Sequence, residues 1–174
     1  VPDQKAMVVS TVNSEGKPSS RVVYSRGLTD KGILFYTNYN SQKGDDLAVN
    51  PHVCINIYWP ELERQIRLEG KVSKVSDAES DAYFASRPRD SQIGAWASDQ
   101  SAVIENREAL KNRVKEFEDK FKNQEVPRPP HWGGYIIEVT RAEFWQGRPA
   151  RLHDRIVYAQ QEEPGVWSLN RLSP

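Results

Sequence analysis

Residues 6–37 read AMVVSTVNSEGKPSSRVVYSRGLTDKGILFYT, and their pattern indicates the fold class. Three runs rich in β-branched and aromatic residues, at 6–12, 21–25 and 33–37, are separated by the clusters Asn-Ser-Glu-Gly and Thr-Asp-Lys-Gly. Such runs are typical of strands, and Gly, Asn, Asp and Ser are typical of the turns that join them. Residues 6–37 therefore predict a meander of antiparallel strands on short loops.

Strands continue to outnumber helices in the rest of the chain. Further strands are predicted over 53–59, 65–75, 134–140, 142–145, 156–159 and 166–172, with a bulge or bend at Gly70. Helices are predicted over 41–50, 77–86 and 104–122, the second from a capping box at Ser76 and Glu79. Because the strands follow one another directly, we predict a mainly β fold, an antiparallel barrel with added α-helices.

An apolar stripe runs along the longest predicted helix. Leu110, Val114, Phe117 and Phe121 recur at steps of four, three and four residues, the spacing of one helix face. We expect this face to pack against the sheet or a partner chain and not to line a cofactor site.

The composition of the chain excludes several kinds of partner and site. The length of 174 residues predicts one domain over 1–174. Lys plus Arg and Asp plus Glu both number 24, so no net charge draws the chain to nucleic acid or to an anionic membrane. The single cysteine, Cys54, excludes an internal disulfide and predicts a reducing, cytoplasmic location. His52, His131 and His153 lie far apart without metal-ligand spacing, so no metal site is predicted.

Residues 145–155, WQGRPARLHDR, concentrate side chains that can bind a ligand or transfer a proton. An indole can lie beside a planar ring, three guanidiniums can bind phosphate or carboxylate, and an imidazole can move a proton. A solvated basic loop is the alternative reading of this segment alone. The glycines form neither G-x-G-x-x-G nor a P-loop, so the usual dinucleotide and nucleotide phosphate sites are not predicted.

Other anion-binding residues are dispersed along the chain. Arg21 and Arg26 bracket one predicted strand, and Gln42 and Lys43 lie in the first turn of a short helix, where free N–H groups favour phosphate. Arg87 follows a helix. Together with residues 145–155 they would serve two separate phosphate-bearing ligands.

Six motifs give the chain a family resemblance. They are FYTN at 35–38, LERQ at 62–65, SRPRDSQIGAW at 86–96, HWGGY at 131–135, EFWQG at 143–147 and RLHDR at 151–155. In order and spacing the chain resembles the pyridoxine (pyridoxamine) 5′-phosphate oxidase family. The resemblance implies a split β-barrel homodimer with FMN in clefts between the subunits. It also implies oxidation of pyridoxine 5′-phosphate or pyridoxamine 5′-phosphate to pyridoxal 5′-phosphate, with O₂ reduced to H₂O₂.

The resemblance also assigns site residues. It implies FMN contacts at Arg21, Val22, Val23, Tyr24, Ser25, Arg26, Tyr36, Thr37, Gln42, Lys43, Gln65, Gln100, Ser101, Trp145 and Arg155. It implies substrate contacts at Arg26, Tyr83, Arg87, Ser91, Arg151 and His153, with Arg151 and His153 lying against the reacting ring as the catalytic pair. These chemical types fit the roles, because Arg21 and Lys43 suit the FMN phosphate and Arg87 suits the substrate phosphate.

Three departures from the family pattern leave alternatives open. Arg26 stands where the family usually has lysine, and Gln42 stands where many members have arginine. We also expect the family's N-terminal segment, which can cover the active site, to be missing. The alternatives are a related flavin oxidase acting on another aromatic substrate, as in phenazine-type biosynthesis, and a non-catalytic module that holds FMN or pyridoxal phosphate.

Overall fold

Strands dominate the computed structural model, which describes residues 5–163 and 165–174. Residues 1–4 and 164 of the predicted domain lie outside the described residues. The described part contains β1 (Ala6–Val12), β2 (Pro18–Tyr24), β3 (Gly27–Thr29), β4 (Gly32–Asn38), α1 (Gln42–Val49), β5 (His52–Trp59), β6 (Arg64–Lys74), α2 (Asp77–Ala85), α3 (Arg89–Ala97), α4 (Arg107–Lys120), β7 (Trp132–Gln146), β8 (Asp154–Gln160) and β9 (Trp167–Arg171). The predicted mainly β fold with added helices is confirmed.

The strands form one antiparallel sheet in the order β2-β1-β5-β6-β7-β4-β3, with β8 added to β7 and β9 to β8. β6 pairs with β7 along almost its whole length. The other edge of β7 pairs with β4 over residues 132–137 and with β8 over residues 141–146. β7 therefore connects two separate parts of the sheet.

A bulge lets β7 continue where the sequence predicts two strands, over 134–140 and 142–145. Glu69 pairs with Arg141 and Gly70 with Val139, so Thr140 has no partner on β6. Thr140 instead donates its hydroxyl to the Glu69 carbonyl at 3.2 Å. The predicted irregularity at Gly70 is confirmed, and the prediction of a break in the later strand is wrong, because the bulge absorbs the change in alternation.

The main core lies on the inner face of the sheet. Met7, Val9, Phe35, Ile55 and Ile137 are at most 1% exposed and come from β1, β4, β5 and β7. They alternate with more exposed residues along each strand, as a sheet with one buried face requires. Burial of these side chains fixes the strand register, since a shift of one residue would turn each of them outward.

A second core joins α2, α3 and α4 to the start of β7. Its buried members are Phe84, Ile93, Phe121, Val126 and Trp132. Val114 and Phe117 of the predicted stripe pack against this cluster, so α4 lies over α3 and the first residue of β7.

The helix boundaries follow their caps. The predicted capping box of Ser76 and Glu79 starts α2. α4 begins later than predicted, because Asn106 Oδ1 accepts a hydrogen bond from the Ala109 N–H at 2.9 Å. α3 is not predicted from the sequence, since it has no side-chain cap and contains Gly94, a poor helix former. No helix in the described ranges is long and apolar enough to cross a membrane.

We predict that Gly70→Ala destabilises the protein by about 1–3 kcal/mol, the usual cost of overpacking. A Cβ at this position would collide with the Glu138 carbonyl oxygen on β7, and backbone cannot move aside cheaply. Urea unfolding measures the change. Gly94→Ala is the control, because nothing lies within 4 Å of its Cβ position and alanine favours a helix. Equal unfolding midpoints for Gly70→Ala and the unmodified protein would contradict the close approach of Gly70 to the Glu138 carbonyl.

Candidate functional site

A cavity of about 440 Å³ opens where the end of β4 and the start of α1 face the edge strand β2. It is lined by Ser19, Ser20, Arg21, Val22, Val23, Tyr24, Arg26, Tyr36, Thr37, Gln42, Lys43, Gln100 and Ser101. We call it the Lys43 cavity. Of the FMN contacts that the sequence predicts within 21–43 and 100–101, all except Ser25 line it.

Lys43 is placed by the first turn of α1. Ser41 starts the helix by accepting a hydrogen bond from the Gly44 N–H at 3.4 Å. Lys43 is only 6% exposed, and its ammonium donates to Ser41 Oγ (3.0 Å), Thr37 Oγ1 (3.1 Å) and Gln100 Oε1 (3.0 Å). These three partners are neutral, so the charge of Lys43 is desolvated but not neutralised.

The neighbouring Arg21 adds a second cation to this cavity. Its Nη1 donates to Thr11 Oγ1 at 2.6 Å, and its Nη2 lies 3.8 Å from Asp46 Oδ2. Burial lowers the pKa of Arg21, although Asp46 opposes this. Burial, with a smaller contribution from Arg21, lowers the pKa of Lys43 to about 8. One buried and one partly buried cation near a single carboxylate favour the binding of an anion.

A second cavity, of about 350 Å³, adjoins the first. It is lined by Arg26, Tyr36, Thr37, Asn38, Tyr83, Arg87, Ser91, Gly94, Ala95, Ser98, Gln100 and Trp132. We call it the Arg87 cavity. Arg26, Tyr36, Thr37 and Gln100 line both cavities. The predicted substrate contacts Arg26, Tyr83, Arg87 and Ser91 all line this one.

Arg87 is held by aromatic rings and has a free donor. Its Cζ lies 4.6 Å from the centroid of the Trp132 ring and 5.7 Å from that of Phe84. Its Nη1 is buried and has no hydrogen-bond partner. Burial lowers the pKa of Arg87, with an opposing contribution from Tyr83. A half-buried guanidinium with a buried, unused N–H favours the binding of an anion such as phosphate.

Trp132 is a site residue that the sequence reasoning missed. Its ring stacks with Tyr36 at 5.5 Å, and Tyr36 stacks with Tyr83 at 3.9 Å, which forms one wall of the Arg87 cavity. Asn38 and Ser98 also line this cavity without having been predicted. The only signal for Trp132 was its place in the motif at 131–135, because its stacking on Arg87 exists only in the folded chain.

Apart from Ser25, the remaining predicted site residues lie at the other end of β7. They are Gln65, Trp145, Arg151, His153 and Arg155, which we call the His153 cluster. Trp145 pairs with Gln65 of β6 and with Arg155 of β8. The rings of Trp145 and His153 lie 4.7 Å apart. Arg151 has a left-handed backbone (φ 61°), as does Ala150 (φ 55°), a conformation that costs non-glycine residues energy and that concentrates at functional sites.

Arg155 differs from Lys43 and Arg87 in having a carboxylate partner. Its Nε donates to Glu143 Oε1 at 2.8 Å, and its Nη1 donates to the Ser173 carbonyl at 3.1 Å. Glu143 is 2% exposed and also contacts Arg67 and Arg141. The hydrogen bond from Arg155 is the main reason that the pKa of Glu143 is lowered. Glu143, which sequence reasoning missed, therefore fixes the direction of Arg155.

The His153 cluster does not meet the two cavities within one chain. Tyr36, which lines both cavities, pairs with Gly134, and Trp145 lies eleven residues further along β7. At about 3.3 Å per residue this is a path of roughly 36 Å along the strand. None of the cluster residues lines either cavity. The predicted site residues thus form two separate groups.

Comparison with known proteins finds matches along most of the chain. The family description "Pyridoxamine 5'-phosphate oxidase" matches residues 1–121, and "Pyridoxine 5'-phosphate oxidase C-terminal dimerisation region" matches residues 132–174. A pyridoxine/pyridoxamine 5′-phosphate oxidase of Nostoc punctiforme is 52% identical over 174 residues, which is 100% of this chain and 81% of that protein.

Two solved structures are similar to the fold. PhzG from Burkholderia lata, solved in complex with tetrahydrophenazine-1-carboxylic acid, has a TM-score of 0.92 and 31% identity over 100% of this chain and 84% of its own. A pyridoxamine 5′-phosphate oxidase-related, FMN binding protein from Nostoc punctiforme has a TM-score of 0.75 over 98% of this chain and 88% of its own. Its identity is 17%, so it supports the split-barrel fold alone.

We predict that the affinity of the Lys43 cavity for inorganic phosphate falls as the pH rises through about 8, because Lys43 then loses its proton.

The stability of the protein without a bound anion should change with pH in the opposite direction. The unfolded chain keeps the lysine proton up to about 10.5, so it binds more protons than the folded chain between these values, and stability rises there with pH. Calorimetric titration with phosphate and urea unfolding measure the two effects.

Lys43→Met should remove both pH effects, and Lys111→Met is the matched control. Lys111 is an exposed lysine on α4 whose ion pair with Glu108 is remote from both cavities. If the phosphate affinity of the unmodified protein stays constant through pH 8, Lys43 is not the cation that binds phosphate.

Proposed function

This chain belongs to the pyridoxamine 5′-phosphate oxidase family, and from that premise we propose that it is an FMN-dependent oxidase of phosphorylated B6 vitamers. The reaction is the oxidation of pyridoxine 5′-phosphate or pyridoxamine 5′-phosphate to pyridoxal 5′-phosphate. The accepting molecule is O₂, which is reduced to H₂O₂. The proposed enzyme has one FMN-binding domain per chain.

The observation that carries this proposal is the pair of adjoining cavities, each with a buried or half-buried cation that has no carboxylate partner among the described residues. Lys43 has three neutral partners, and Arg87 has a buried Nη1 without any partner. One phosphate-bearing ligand in each cavity would supply the missing anions. Four shared lining residues make the cavities neighbours, as a cofactor and its substrate must be.

The residues present fit FMN and a phosphorylated substrate. Lys43 and Arg21 would hold the FMN phosphate, with the hydroxyl of Thr37 and the amide of Gln42 beside them. Arg87 would bind the substrate phosphate, with Tyr83 and Ser91 as hydroxyl donors. Bound FMN would supply the redox chemistry, accepting a hydride from the substrate and passing the electrons to O₂.

A homodimer would complete the site. The His153 cluster lies far along β7 from its own cavities, and four of its five residues lie within the matched dimerisation region. We propose that the cluster of one subunit faces the cavities of the other. Arg151 and His153 would then lie against the substrate ring and orient it, while Gln65, Trp145 and Arg155 would contact FMN.

Arg26 is the residue most directly placed to affect substrate choice. It lines both cavities, so its guanidinium is within reach of either phosphate. A forked guanidinium binds two oxygens of one phosphate, whereas the lysine expected here from the family pattern would act as a point charge.

A related oxidase of phenazine-type substrates is the second candidate, favoured by the structural likeness to PhzG. The identity of 52% with a pyridoxine/pyridoxamine 5′-phosphate oxidase, against 31% with PhzG, supports the B6 reading. The buried, unpartnered Nη1 of Arg87 also suits a phosphorylated substrate. A module that binds FMN or pyridoxal phosphate without catalysis is the third reading.

We predict that pyridoxine 5′-phosphate bleaches the oxidised flavin band of the FMN-loaded protein in the absence of O₂, because the substrate reduces the flavin. An absorbance spectrum before and after addition measures this. Arg87→Lys should bleach more slowly at limiting substrate, since a lysine cannot make the forked phosphate contact. Arg113→Lys is the control, as its partner Asp99 and its place on α4 are outside both cavities.

The outcomes separate the three readings. A flavin bleached by tetrahydrophenazine-1-carboxylic acid but by neither B6 vitamer would favour the PhzG-like reading. A flavin that stays oxidised with all of these substrates would favour the binding module. Failure to bind FMN would overturn the cofactor assignment itself.

A further inference from the structure

The loop between β7 and β8, residues 147–153, carries both proposed catalytic residues in a conformation that the loop sequence does not favour. Ala150 and Arg151 are consecutive left-handed residues. Two consecutive residues that each have a Cβ rarely both adopt this backbone conformation. Contacts outside these two residues must therefore hold the loop in place.

Asp154 supplies such contacts. Its Oδ2 accepts a hydrogen bond from Arg148 Nε at 2.7 Å, and its Oδ1 accepts one from Arg171 Nη1 at 2.5 Å. Asp154 is the first residue of β8 and pairs with Gln146 at the end of β7, and Arg171 is the last residue of β9. The carboxylate therefore ties the start of the loop to the sheet on which the loop is mounted. The hydrogen bonds from Arg148 and Arg171 lower the pKa of Asp154, which keeps it ionised.

Arg148 in turn acts on His153. Its backbone N–H donates to His153 Nδ1 at 3.1 Å. An N–H group can only donate, so Nδ1 must be the acceptor, and the neutral imidazole then carries its proton on Nε2. The ring is also confined by Trp145, at 4.7 Å and an interplanar angle of 46°. Both the tautomer and the orientation of His153 thus depend on where the Arg148 backbone lies.

We infer that Asp154 is a positioning residue that, through Arg148, holds His153 as the Nε2–H tautomer. His153 then presents a hydrogen-bond donor at Nε2, and not a base, to the substrate. The part of this inference that concerns the substrate rests on the proposed function. The side chains of Arg148 and Asp154 are 55% and 33% exposed. Exposed ion pairs add little to global stability, so the contribution of this pair lies in the placement of the loop.

The test combines a spectroscopic readout with kinetics on the FMN-loaded protein. Long-range ¹H–¹⁵N correlation spectra report the tautomer of each histidine, and the chain has only three, so His153→Gln assigns the signal of His153. We expect the unmodified protein to show a single Nε2–H tautomer for the neutral ring. Asp154→Asn should give a mixture of the two tautomers, and Arg148→Gln should do the same because it removes the other partner of the ion pair.

The kinetic effect should fall on kcat. Asp154→Asn and Arg148→Gln should each lower kcat by roughly 10- to 100-fold, the effect of misplacing a catalytic group, with KM and FMN affinity nearly unchanged. Arg171→Gln is the matched control, since it removes the other hydrogen bond to Asp154 and leaves that of Arg148 in place. It should preserve both the tautomer and kcat.

Two results would overturn the inference. One is an unchanged His153 spectrum and kcat in Asp154→Asn and Arg148→Gln. The other is an equal effect of Arg171→Gln, which would mean that Asp154 acts through β9 and not through Arg148. If the unmodified protein oxidises neither vitamer, the proposed function fails, but the His153 spectra still decide whether Asp154 holds the tautomer.

Discussion

The structure depends on the length and continuity of β7. This strand of 15 residues is paired on one edge with β6 and on the other with β4 and then β8. It can run unbroken because Thr140 bulges and Gly70 lets the β7 backbone come close. Its start, at Trp132, forms a wall of the Arg87 cavity, and its end, at Trp145, carries the His153 cluster. One strand thereby separates two groups of predicted site residues that the proposed reaction requires together.

The positive charges in the fold differ in whether a carboxylate of the same chain neutralises them. Arg155 and Arg128 meet carboxylates, of Glu143 in one case and of Asp77 and Asp81 in the other, so their charge is neutralised within the fold. Lys43 donates only to neutral groups and Arg87 lies against an aromatic ring, and burial lowers the pKa of each. Leaving such groups desolvated costs stability, which the apolar core of the sheet must offset. A bound phosphate would recover part of that cost as binding energy, which supports the proposal that the two cavities hold anionic ligands.

Local patterns predicted much of the fold, and tertiary contacts explain what they missed. Alternation along 6–12 and 53–59 and the Ser76 capping box depend on neighbours in sequence, so β1, β5 and α2 were predictable. α3 was not, because packing of Ile93 stabilises it in place of a cap. The residue types of both site groups were visible in the sequence, whereas their separation along β7 was not. Glu143 was missed because its role needs arginines from β6, β7 and β8, which only the sheet brings together.

The central claim is that the cavities of one subunit are completed by the His153 cluster of another, and crossed variants test it most directly. Arg87→Ala and His153→Ala each damage one group, so either protein alone should have little activity. After equal amounts are unfolded and refolded together, half of the dimers should contain one intact site, and about a quarter of the unmodified activity should return. Recovery to that level, absent when either variant is refolded alone, is the predicted result. A mixture no more active than its components would contradict the shared site.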